Sequence, residues 1–384
     1  MEAINKMYNN TNYFQFIPVE IILDIIDLLY DDKSRMNVLV TCKFMYSFLR
    51  LTKFYEDVYI YKYQNIINKP RIQSVILENN KITSNFKIDV RRVCLLISEK
   101  RNDLEYKNFF RNLSTNIREL SLNDIYSTIL SSNNLDFSES KIKNFTLNSN
   151  MNIKLPDNIK KLYYLKGNIS NKIIKNVDEM ILSSSRLELP FIKNIHTVII
   201  QVSSCSSYYS GLDYVTKRIE SVRKLTILSL YNSGFFYDSD MSKLENLTQL
   251  TILTSCGKVI LPKNVKTLLL KKNIVDYITN TDNITKLAFY DVIGCVPKSV
   301  ESLFSFQSEI PKENIYSNIE NEIRDTKIEF MFIDTPSYFR TAPKHLNHIY
   351  LNKNNMKYFP SFPPNIKVSL ISDEDRKYFL SLFN

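Results

Sequence analysis

Glycine is scarce in this chain of 384 residues, which holds five. So few leave no room for the glycine-rich loops that cradle phosphate, GxxxxGK(S/T) or GxGxxG, and nucleotide chemistry of those kinds is not expected. Histidine is scarcer still, with three. His345 and His348 stand close together, but no Cys, Asp or Glu lies beside them at ligand spacing, and His196 is alone. No metal centre is expected from them. The cysteines Cys42, Cys94, Cys205, Cys256 and Cys295 are odd in number and widely separated, which speaks against a disulfide framework and for a reducing compartment. No stretch approaches the roughly 20 apolar residues of a membrane span. The opening MEAINKMYNNTNYF lacks the apolar centre of a secretory signal, so none is expected. No serine sits in a GxSxG setting. These absences exclude most catalytic classes, and no catalytic residue, metal or cofactor is assigned.

What the chain does have is a repeated phrase, apolar-x-x-apolar-x-apolar. It first reads Ile72, Val75, Leu77 and returns, among others, as Ile117, Leu120, Leu122; Ile195, Val198, Ile200; Leu247, Leu250, Ile252; and Val265, Leu268, Leu270. Successive first positions from Ile72 to Ile284 are 17 to 27 residues apart, the spacing of leucine-rich repeats. The last third is looser. Val300 and Leu303 lack a third apolar member, Ile366 opens a degraded copy, and one poorly written copy is expected near Ile328 to Phe332. The last two apolar residues of each phrase are two apart, so on an extended segment they point to one side. One unit cannot bury that side alone. Stacked units bury it jointly and place their strands in a parallel sheet. Asn80, Asn150, Asn273 and Asn354 follow the last apolar position by three, where their side chains are expected to satisfy backbone groups at the turn out of the strand.

Pro156, Pro262, Pro297, Pro343 and Pro363 each lie three residues before a first apolar position. Proline fixes its own φ and biases its predecessor toward extended geometry, so the strands are entered from a turn and not from a long helix. The phrases LPDNIKKLYYL, LPKNVKTLLL, VPKSVESLFSF and APKHLNHIYL resemble FNIP-type leucine-rich repeats, known from slime moulds, amoebae and giant viruses of amoebae.

Ahead of the repeats stands FQFIPVEIILDIIDLLYDDKSRMNVLVTCKFMYSFLR. Pro18 falls at a helix start, and Ile21, Ile22, Ile25, Leu28 and Leu29 recur at helical spacing. Asp32 is placed to open a second helix with Met36, Leu39 and Val40, and a third would carry Phe44, Phe48 and Leu49. Residues 17–22, IPVEII, and the later Val40, Thr41, Cys42, Lys43, Phe44 resemble an F-box, with Ile17 where the family has Leu. The resemblance implies that Ile17, Pro18, Ile21, Ile22, Ile25 and Val40 dock on a Skp-type adaptor in a cullin complex. The protein would then be the substrate-recognition adaptor of an SCF-type ubiquitin ligase, the repeats holding an unknown target protein in the cytoplasm, of the host if viral, or in the nucleus. The alternative is a leucine-rich interaction scaffold whose N-terminal helices only cap the stack.

The fold class expected is thus an α/β repeat. Residues 1–13 form a flexible start, 14–55 the F-box-like module, 56–371 the solenoid with a concave parallel sheet, and 372–384 a cap helix that closes its far end. In that tail, Ser372 and an acidic first turn precede Tyr378, Phe379 and Leu382. The net charge of +10 is spread along the chain, and strand positions mix Lys161, Lys224 and Lys286 with Glu119 and Glu179, so nucleic acid is an unfavoured partner, and no membrane partner is expected. The strand residues between the buried ones form a row with almost no charge. Tyr163, Leu269, Phe304 and Tyr350 are its aromatic and aliphatic candidates for target binding. A face covered by helices or loops, or a register shifted by one, would account for the same row.

Overall fold

The computed structural model describes residues 18–29, 32–39, 58–59, 74–78, 90–97, 117–124, 134–183, 189–202, 205–219, 221–229, 239–253, 258–271, 278–290, 295–307, 317–318, 323–335, 337–358 and 362–383. The chain forms two compact units, Met1–Pro156 and Asp157–Asn384.

The first unit opens with helices α1 (Val19–Asp27) and α2 (Asp32–Leu39). The third helix expected around Phe44 to Leu49 lies outside the described residues, as do Ile17, Val40 and Cys42. Strands follow: β1 (Val58–Tyr59), β2 (Ser74–Glu78), β3 (Arg92–Ile97), β4 (Glu119–Asp124), β5 (Asn134–Asp136) and β6 (Asn144–Lys154). All their pairings are parallel, and they stack the phrase in register. Val75, Val93, Leu120 and Phe145 oppose one another, as do Leu77, Leu95, Leu122 and Leu147. All eight are buried.

The second unit carries β7 (Asn158–Ile169), β8 (Ile173–Leu182), β9 (Phe191–Val202), helix α3 (Cys205–Arg218), β10 (Lys224–Ser229), β11 (Ser239–Asp240), β12 (Gln249–Leu253), β13 (Val259–Ile260), β14 (Thr267–Lys271), β15 (Ile278–Thr279), β16 (Lys286–Tyr290), β17 (Ser302–Phe306), β18 (Ser317–Asn318), β19 (Phe330–Ile333), β20 (Ser337–Tyr338), β21 (His348–Leu351), β22 (Lys367–Leu370) and helix α4 (Asp373–Ser381). The long ladder runs β7, β8, β9, β10, β12, β14, β16, β17, β19, β21, β22, every pairing parallel. β11, β13 and β15 form a small parallel sheet of their own. Along the ladder the second apolar position makes one continuous row from Leu162 through Leu225, Leu268 and Met331 to Ile349, each at most 1% exposed. Burying one such side chain contributes about 1.5–3 kcal/mol, and only a stacked neighbour makes the burial possible.

The copy expected near Ile328 is complete: Ile328, Met331 and Ile333 fill the three positions and all are fully buried. The third position missing after Leu303 is Ser305, also fully buried, and its hydroxyl is hydrogen-bonded to that of Thr335. A polar atom stays in the core because it finds a partner there.

The prolines work as read. Pro262, Pro297, Pro343 and Pro363 accept hydrogen bonds through their carbonyls from Val265, Val300, Leu346 and Ile366, closing one tight turn ahead of each strand. Of the four asparagines expected to serve the turn out of the strand, Asn80 and Asn273 lie outside the described residues. Other asparagines bond on the way into the strand: Asn264 and Asn283 donate to the carbonyls of Glu245 and Lys263 one repeat earlier, and Asn194, Asn176 and Asn158 bond side chain to side chain across β9, β8 and β7. Asn280 and Asn352, just past β15 and β21, donate to the Leu261 carbonyl and to Asp334 Oδ1. Asn150 and Asn354 instead receive side-chain oxygens on their backbone N–H groups.

Helix α3 occupies the long interval before β10. Its packing on β9 is close at Gly211, where a Cβ would stand 2.8 Å from Cγ2 of Ile200. Tyr214 donates to the Pro190 carbonyl at 2.8 Å, and burial pushes its phenol well above the ordinary range.

Candidate interaction surfaces

Helix α1 is apolar on two sides. The carbonyl of Pro18 accepts from Ile22 N at 3.2 Å, so proline sits where its missing N–H costs nothing and starts the helix. From there Ile22 and Ile26, one turn apart, are buried at 2% and 0%. Ile21, Ile25 and Leu28, at the next positions round the helix, are 48%, 51% and 76% exposed. Of the six residues implied for adaptor docking, then, Pro18, Ile21 and Ile25 share the exposed side. Ile22 does not: it faces inward, because helical spacing puts it on the line of Ile26. Leu28 belongs to the exposed stripe, and its spacing of three from Ile25 was the signal for it.

The second surface is the sheet face turned away from the core in the second unit. On β7 to β10 it presents Tyr163, Ile181, Ile199 and Thr226 in one row, all half-buried. The Tyr163 hydroxyl donates to Gln201 two strands away at 2.9 Å, and Lys161 pairs with Glu179 at 2.5 Å on the flank. No protein-family model matches this chain, and no curated protein matches it. Its surfaces are therefore judged on their own chemistry. An apolar row with an anchored phenol at one end and a Lys161–Glu179 ion pair beside it suits a protein surface better than a phosphate backbone.

From β14 to β21 the same face is closed. Helix α4 and the residues after it lie across it, driving Phe379 and Phe383 among Leu269, Ala288, Phe304, Phe306 and Phe332. Phe304 meets Phe383 edge-on at a centroid distance of 5.1 Å, and Phe332 lies 5.0 Å from Phe379. Leu269 and Phe304 are thus 1% and 2% exposed and offer no surface to a target, and Tyr350 is half-covered by Phe379 at 5.2 Å. Of the target-binding candidates, Tyr163 stands clear of this cover. The reason is the tail: the reading that a helix covers part of the row holds for this stretch, and the register itself is as read.

The tail is held at three points. Ser372 caps α4, its hydroxyl accepting from Asp375 N at 3.0 Å while the Asp375 carboxylate accepts from Ser372 N at 3.0 Å. The Ser372 hydroxyl also donates to Asp375 Oδ2 at 2.6 Å, and that bond, together with the one from Ser372 N, holds the Asp375 carboxyl below its usual range. Arg376 forks onto Asp334 with Nε at 2.9 Å and Nη2 at 2.8 Å. Asp334, its side chain fully buried, also accepts from Asn352 Nδ2 and from Gln307 N. At the far end Gln249 Nε2 and Thr251 Oγ1 of β12 donate to the Phe383 carbonyl at 2.6 and 3.3 Å. Helix α4 therefore lies over the face and does not close the end of the stack, where Val368 and Leu370 stay exposed. Among the described residues no cluster of His, Cys, Asp and Glu could hold a metal, and no helix is long and apolar enough to cross a membrane.

Proposed function

We propose that the protein is a substrate-recognition adaptor of an SCF-type ubiquitin ligase, docking through α1 on a Skp-type adaptor and holding a target protein on its repeats. The observation that supports this most is the exposed Ile21, Ile25, Leu28 stripe beside Pro18, on a helix whose other apolar side is already satisfied. Water-facing isoleucines one turn apart are what a helix-in-groove contact uses. A helix serving only as a cap accounts for Ile22 and Ile26 and leaves that stripe without a role. The target-binding part of the reading rests on Tyr163, Ile181 and Ile199, the uncovered stretch of the face. The test is co-purification of the full chain with a purified Skp-type adaptor, with Ile21→Glu and Ile25→Glu as controls at positions that folding does not bury. Binding lost in both variants supports the reading; an unaltered chain that never binds removes it and leaves the leucine-rich scaffold.

A further inference from the structure

At the last rung the repeat stops being buried. Val368 and Leu370 hold the same core positions as Ile349 and Leu351 before them, in register. Yet they are 38% and 54% exposed, where those two are 0%. Lys367 N and Ile371 N donate back to Asn347 and Leu351 of the neighbouring rung. By strand alternation the N–H and C=O of Val368 and Leu370 therefore point to the outer edge, and among the described residues β22 pairs with β21 alone. A stack with an apolar end and an unpaired edge is open to association, and α4 is spent elsewhere.

We propose that a second copy of this chain closes the end, the two β22 strands pairing antiparallel about a two-fold axis at Ser369. The register follows from which groups are free. With Ser369 opposite its own copy, Val368 faces Leu370 of the second copy and Leu370 faces Val368, as doubly hydrogen-bonded pairs that satisfy every outward group of both strands. Moving the axis to Val368 or to Leu370 would call on the N–H of Ile366 or of Ser372. Those are already given to the Pro363 carbonyl and to Asp375 Oδ2. The chosen register also puts both apolar rows on the same side of the joined sheet, so each stack covers the other's open core. Charge agrees. Exposed Lys367 comes opposite Ile371 of the second copy, beside Asp373 and Glu374 in the acidic first turn of its α4. This inference is independent of the adaptor reading, because it uses no residue of α1 or of the open face.

Sedimentation equilibrium of the full chain at tens of micromolar is expected to give a mass of about 90 kDa, twice the 45.2 kDa of one chain. Leu370→Asp, at a position already in water, abolishes the dimer without lowering the melting temperature of the monomer. Lys367→Glu raises the dissociation constant several-fold. Ser369→Cys, on the axis, yields a disulfide-linked dimer on mild oxidation that the unsubstituted chain does not form. A chain that remains monomeric at that concentration, or a dimer indifferent to Leu370→Asp, overturns the proposal and leaves the edge to a strand of some other protein.

Discussion

Strands β7 to β10 and strands β14 to β21 are built on one phrase and bury the same two positions toward the core. Their other faces diverge. The first stretch carries Tyr163, Ile181, Ile199 and Thr226, half-buried. The second carries Leu269, Ala288, Phe304 and Phe332, at most 2% exposed under the chain's own tail. The periodic residues decide that a stack forms; the residues between them decide whether its face is closed from within or left for something else.

That contrast can be broken most severely at the tail. Phe383→Ala removes an aromatic side chain 1% exposed and packed edge-on against Phe304 and Phe306. It should cost about 3–5 kcal/mol in urea unfolding. Removing residues 372–384 should expose the Phe304 and Phe332 row and drive the chain to aggregate, seen in size exclusion as a shift of the protein into the void volume. A matched pair sharpens the comparison: Leu269→Ala should cost about 3 kcal/mol, and Ile181→Ala on the open stretch about 1 kcal/mol or less, by the same unfolding assay. Equal costs would mean that the two stretches are covered alike.

The polar fastening should be worth less. Asp334→Ala strands Gln307 N and Asn352 Nδ2 without an acceptor, while Arg376, 41% exposed, can turn to water. About 2 kcal/mol is expected, less than for a pair buried on both sides. The smallest effect is at the cap. Ser372→Ala should cost about 1 kcal/mol. Because the Asp375 carboxyl is held below its usual range in the folded chain, its contribution is present above the ordinary carboxylate range and fades as pH falls through the lowered value. Acid titration of thermal stability should therefore fall less steeply in Ser372→Ala than in the unaltered chain.

Much of this architecture was legible in the residues, because each phrase carries its own strand and neighbouring phrases must pair to bury it. The lead-in turns were legible through proline, and α4 through Ser372 and its acidic first turn. Where α4 goes was not. Its anchors are far away in sequence: Gln249 and Phe383 are 134 positions apart, and Asp334 and Arg376 are 42 apart. No local pattern encodes such a contact. One signal was present, the crowding of Phe304, Phe306, Phe330, Phe332 and Tyr350 at positions where the earlier strands alternate aliphatic with polar residues. So many rings side by side ask for an apolar cover, and the amphipathic tail supplies one. In α1, spacing separated inward Ile22 from outward Ile21 and Ile25, but two apolar lines on one helix gave no way to choose between them before burial was known.

Hydroxyl-radical footprinting of the native chain, read by mass spectrometry at each aromatic residue, puts the closed and open stretches side by side in one experiment. Tyr163 should be oxidised readily while Phe304, Phe332 and Phe383 stay protected until the chain unfolds. Oxidation of Phe304 and Phe332 at the rate of Tyr163 would contradict a tail folded over that face.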